Sequence, residues 1–71
     1  MKNLYRGAFN FGHVLRIEYA YAHSKRQAWA VMCKRIAKKD GVPDSSVMGL
    51  FDGSKPNHEI TVEMEVSESN A

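Results

Sequence analysis

Few side chains in this sequence are equipped for chemistry. The imidazoles of His13, His23 and His58, the single thiol of Cys33 and the carboxylates Glu63 and Glu65 are the groups suited to acid, base or nucleophilic work. Their spacing does not assemble them. A nucleophilic thiol needs a base or cation to hold it as thiolate. Cys33, however, falls on an apolar helical arc with Met32 and Ile36, where desolvation raises its pKa and makes it inert. Glu63 and Glu65 share a face because strand residues two apart always do, and without a cleft that pairing has little specificity for proton transfer. No G-x-x-x-x-G-K-S/T, G-x-G-x-x-G or G-x-S-x-G motif occurs. One cysteine and three scattered histidines supply neither a disulfide framework nor a zinc pattern. The expectation is a non-enzyme with no catalytic residue, no metal and no cofactor.

What remains is charge. The formal net charge is only +2, but it is unevenly spread. Residues 1–43 hold nine cations against Glu18 and Asp40, a net of +7, while residues 44–71 hold Lys55 against six carboxylates, a net of −5. Six of the cations lie between Ser24 and Lys39, with no carboxylate among them. Such asymmetry points to a polyanionic partner or to head-to-tail association.

The elements that must position these residues are legible. At 71 residues and 44% hydrophobic, the chain is one small domain with little stability to spare. Its expected span is residues 1–66, followed by a flexible polar tail at 67–71. No apolar run approaches the ~20 residues of a membrane span, and no signal peptide is apparent, so a cytoplasmic protein without membrane contact is expected. From Leu4 to Ala22 the residues are aromatic and β-branched, broken at Asn10-Phe11-Gly12-His13, which reads as a hairpin turn. In its second arm Leu15, Ile17, Tyr19 and Tyr21 alternate with smaller or charged residues and are assigned to the core face. In the first arm Tyr5, Gly7 and Phe9 are assigned to the core and Leu4, Arg6 and Ala8 to the open face, which Arg16 shares.

Ser24-Lys25-Arg26-Gln27 fits a capping box at a helix start, and Gly41 followed by Pro43 marks its end. Trp29, Met32, Cys33, Ile36 and Ala37 form its apolar arc. Residues 44–51 suit a short second helix capped by Asp44 or Ser45, with Val47, Leu50 and Phe51 at helical spacing. Residues 52–57 are turn-rich, and from His58 onward Ile60, Val62, Met64 and Val66 alternate with polar residues as a third strand. The predicted fold is therefore α+β. It has a single-layer, three-stranded antiparallel sheet (β-β-α-β, order 2-1-3), one main helix packed on one face and a short second helix. On the open face Glu63 and Glu65 are expected opposite Arg6, which leaves the helix cations without partners.

The candidate binding surface is thus the helix face bearing Lys34, Arg35, Lys38 and Lys39, extended by Lys25 and Arg26 at its start, with Val31 as an exposed apolar centre. Lys25 and Arg26 sit where the helix dipole opposes them, a placement that hints at an external anion. A secondary surface comprises Lys55 at a loop tip and Glu63 and Glu65. In size and composition the chain resembles the small proteins of phages and mobile elements, anti-CRISPR inhibitors among them, which block a nucleoprotein machine by occupying its surface. No site residue is carried over from that likeness.

Two functions follow as expectations. One is a binding module whose basic helix engages nucleic acid or a nucleoprotein complex. The other is an inhibitor or accessory subunit acting on a protein target, with homodimerisation through the edge strand as a related outcome.

Overall fold

Two strands, β1 (Asn3–Phe11) and β2 (Val14–Ala22), are joined by a two-residue turn in which Gly12 takes φ +67°, a left-handed value that glycine adopts without strain. The computed structural model describes residues 2–65; the end of the predicted third strand at Val66 and the predicted tail at 67–71 lie outside the described residues. The turn pairs Phe11 with Val14, and counting outward sets Phe9 against Arg16, Gly7 against Glu18 and Tyr5 against Ala20. A third strand, β3 (His58–Glu65), lies antiparallel on the other side of β1, so the sheet order is β2-β1-β3. Helix α1 (Lys25–Asp40) covers one sheet face, and α2 (Asp44–Leu50) packs beside it. The predicted α+β architecture, strand order and short second helix are those observed.

The ends of α1 form as the residue types dictate. Ser24 Oγ accepts from the Gln27 amide at 3.1 Å, and Gln27 Oε1 accepts from the His23 amide at 2.6 Å. At the other end Gly41 takes φ +68°, and its amide bonds the carbonyls of Ala37 and Lys38. No side chain caps α2; its N-cap is Pro43, which corrects the expectation for Asp44 or Ser45.

The core sets the spacing of helix and sheet. Tyr5 and Phe9 from β1, Ala20 and Ala22 from β2, Ala28, Met32, Cys33, Ile36 and Ala37 from α1, and Val47 and Phe51 are all buried. Gly7 is buried between Phe9 and Met32, and a Cβ built there would stand 2.4 Å from Met32 Sδ. The sheet surface beneath α1 is therefore paved with glycine and alanine, and the helix lies close.

The register of the hairpin overturns the predicted face of β2. Residues paired directly across a sheet share a face. With Tyr5, Gly7 and Phe9 under the helix, the pairing carries Ala20, Glu18 and Arg16 there too. Leu15, Ile17, Tyr19 and Tyr21 point away, because the two-residue turn fixes which residues of β2 share the helix side. Arg16 accordingly leaves the open face. Its guanidinium bonds Asp40 Oδ1 at 2.8 Å and lies 5.2 Å from the centroid of the Phe11 ring.

Strand β3 also departs from a simple alternation. A bulge shifts the pairing between Leu4 and Tyr5, so that Val62 opposes Tyr5, Met64 opposes Leu4, and Glu63 is the extra residue. Thr61, rather than Glu63 or Glu65, stands opposite Arg6. No helix among the described residues is long and apolar enough to cross a membrane.

Candidate functional site

Helix α1 exposes its cations because its apolar positions leave them no other direction. With Ala28, Met32, Cys33, Ile36 and Ala37 turned to the sheet, the 3.6-residue repeat sends Gln27, Lys34 and Lys38 to the opposite side. Lys34 and Lys38 are four residues apart, about 6 Å along the axis and on one face. Lys25 and Arg26 are exposed in the first turn, which contains no acidic residue. None of these four cations has a hydrogen-bond or ion-pair partner among the described residues.

The other two helix cations are engaged, correcting the expectation that all would lack partners. Lys39 Nζ donates to Glu18 Oε2 at 2.9 Å, and the Arg35 guanidinium donates to the Tyr19 carbonyl on β2. Both contacts follow from the register of β2, which turns Glu18 toward the helix. Lys39 is the outer partner, and its amine stays largely in water while Glu18 is buried. Val31 is also corrected. It is half-buried and packs against the core, so it is not an exposed apolar centre.

Lys55, Glu63 and Glu65 are all exposed, but they lie on different parts of the chain. Lys55 belongs to the turn-rich loop, whose conformation is held by the Ser54 amide donating to Asp52 Oδ1 and the Asn57 side-chain amide donating to the Leu50 carbonyl. Hydrogen bonds from the Ser54 side chain and amide hold the Asp52 carboxyl below its ordinary value.

Between the start of α1 and this loop lies an open cleft of about 360 Å³, lined by Lys25, Arg26, Trp29, Phe51, Asp52 and His58 among others. Lys25 and Arg26 apart, its polar side chains are internally engaged. Trp29 Nε1 donates to the Phe51 carbonyl at 2.8 Å, and His58 Nδ1 is 3.0 Å from Asn57 Oδ1. The His58 ring stacks on Phe9 at 5.7 Å between centroids and meets Phe51 edge-on, so it is built into the core wall. Burial pushes the Cys33 thiol up to about 11, with no base beside it among the described residues.

The feature that the sequence reading misplaced is the face opposite α1. There Leu4, Arg6 and Ala8 of β1 lie beside Tyr21, Tyr19 and Ile17 of β2 and beside Met64, Thr61 and Glu59 of β3. The signal was present: a two-residue turn at Gly12-His13 fixes which residues of the two arms share a face. No protein-family model matches the chain, and no curated protein or solved structure matches it significantly.

Proposed function

We propose that this protein is a non-enzymatic binding module that grips the phosphate backbone of nucleic acid with the outer face of α1. One observation carries the reading: Lys34 and Lys38 stand one turn apart on the outward face of α1 with no anionic partner among the described residues, while Lys25 and Arg26, equally unpartnered, extend the positive surface round the first turn toward the cleft. The helix's own carboxylate, Asp40, is engaged by Arg16. A surface that serves only solubility intersperses both signs, whereas a one-sign stripe raises the local concentration of an opposite polyelectrolyte. Phosphate contacts of this kind position a protein on a strand without reading sequence.

The test is a fluorescence-anisotropy titration of short single- and double-stranded DNA and RNA, comparing the native chain with Lys34→Glu/Lys38→Glu. The expected result is binding at low salt that the variant weakens by about tenfold or more, since two attractive contacts become repulsive. Equal binding by both proteins would remove the basic face from the function.

A second reading is an inhibitor or accessory subunit that acts by covering a protein target, as phage-borne inhibitors do. The uncovered apolar sheet face supports it, because such surfaces mark protein contacts more often than phosphate contacts.

A further inference from the structure

Strand β2 is built inside out. Its helix-facing residues are Arg16, Glu18, Ala20 and Ala22, and its outward residues are Leu15, Ile17, Tyr19 and Tyr21. An antiparallel sheet with one solvated face ordinarily keeps its larger apolar side chains inward. Here the larger ones are left in water. Leu15 is 64% exposed, Tyr21 58%, Met64 51% and Tyr19 45%. Cross-strand pairing makes them neighbours of Leu4, Ala8 and Ile17, giving one continuous patch. No described residue covers it.

We propose that two copies of this chain pack these open sheet faces together, forming a two-fold sandwich with both α1 helices on the outside. The proposal is independent of nucleic-acid binding by α1. The charge on the face selects a second copy. Among the residues that pair in register on this face, there is one cation, Arg6, and one carboxylate, Glu59, on neighbouring strands and two residues apart; Glu63 stands unpaired at the bulge. A two-fold axis lying in the interface, perpendicular to the strands and level with Gly7, sets Tyr21 against Leu15 of the second copy and Tyr19 against Ile17. The same operation brings Arg6 beside Glu59 of the second copy, twice. The patch is its own complement in both size and sign, as a two-fold interface requires.

Two other occupants fit less well. Nucleic-acid bases would find tyrosines to stack on, but the phosphates would meet Glu59 with only Arg6 beside it. Pairing of two β3 edges would bring Glu59, Glu63 and Glu65 of each copy together, and like charges across a strand pair are destabilising. On β2, the Arg35 guanidinium already occupies the Tyr19 carbonyl.

Three strands at about 4.8 Å spacing and nine residues at about 3.4 Å rise give a face of roughly 400 Å² in projection. Counted on both partners that is about 800 Å², below the roughly 1,200 Å² of standard interfaces, so the pair is a weak, concentration-dependent one. Sedimentation equilibrium of the native chain from about 10 µM to about 1 mM should show the mass rising from 8.0 kDa toward twice that value. Leu15→Lys/Tyr21→Lys should remain monomeric with an unchanged circular dichroism spectrum, because both side chains are exposed in the monomer. Arg6→Glu and Glu59→Arg should each associate more weakly alone, while an equimolar mixture of the two should form a heterodimer. A native chain that stays at 8.0 kDa throughout would overturn the proposal, and so would a dimer that Leu15→Lys/Tyr21→Lys leaves intact. A monomer that loses oligonucleotide binding when Tyr19 and Tyr21 are replaced would also overturn it, assigning the face to bases instead.

Discussion

Replacing Gly7 with alanine tests the packing on which every surface assignment above depends. Gly7 does not occupy the left-handed region, so alanine is compatible with its backbone. In the unfolded chain the added Cβ removes freedom, and this alone would stabilise by about 0.4–1 kcal/mol. Against that, the Cβ would stand 2.4 Å from Met32 Sδ and 2.6 Å from Phe9 Cε2. Ordinary contact needs about 3.5 Å or more, so each neighbour must retreat by about 1 Å. Neither has room, since Met32 and Phe9 are fully buried and the Phe9 ring is wedged edge-on against Phe51 and stacked on His58. Overpacking of this kind costs about 1–3 kcal/mol, and with both obstacles buried the upper part of that range applies. The net expectation is a loss of about 1–2 kcal/mol. For a domain of this size that lowers Tm by roughly 4–16 °C, measured by circular dichroism. In a Met32→Ala background the sulfur is gone, and the cost of Gly7→Ala should fall by about 1 kcal/mol, leaving the Phe9 contact. A Gly7→Ala protein as stable as the native chain would refute the reasoning. It would mean that α1 does not lie close on the sheet.

Other outcomes follow from the same core. Burial with a thiol pushed up to about 11 predicts that Cys33 reacts with a disulfide reagent at pH 8 only through unfolding, so its labelling rate should rise with denaturant in step with the unfolded fraction. Rapid labelling in native buffer would contradict its place under α1. Asp52 has a folded-state pKa lowered by its bonds from Ser54, so its contribution to stability is present above the ordinary carboxylate range and is lost as pH falls through the lowered value. Asp52→Asn should therefore destabilise at neutral pH and show a smaller loss of stability on acidification, followed by urea unfolding at pH 7 and pH 2. An identical pH dependence in the two proteins would contradict the Ser54 contact.

Much of the fold was legible because local signals agreed with one another. Ser24 and Gly41 bracket α1 with complementary caps, and the sheet order follows from a crossover that returns beside the first strand. The face of β2 is not legible from hydrophobic alternation, because its larger apolar residues point away from the helix. Pairing through the Gly12-His13 turn outranks hydropathy there, because it fixes Ala20 beside Tyr5 whatever lies on the other face. The bulge at Glu63 was invisible for a different reason. Val62 and Met64 alternate cleanly with glutamates in sequence, and only the pairing with β1 shows that the alternation breaks. On α1 the outward cations were found from helical periodicity alone. The engagement of Lys39 and Arg35 was not, since it depends on Glu18 and the Tyr19 carbonyl, whose directions follow from the same misread register.

The central claim is that the unpartnered cations of α1 contact phosphates, and the dependence of affinity on salt tests it most directly. Each phosphate neutralised on duplex DNA adds about −0.9 to the slope of log K against log salt, so the two contacts of Lys34 and Lys38 predict a slope of roughly −1.8. Lys34→Gln should reduce the magnitude of that slope by about one while leaving the fold unchanged. A native slope near zero, or a slope that Lys34→Gln does not alter, would contradict the account.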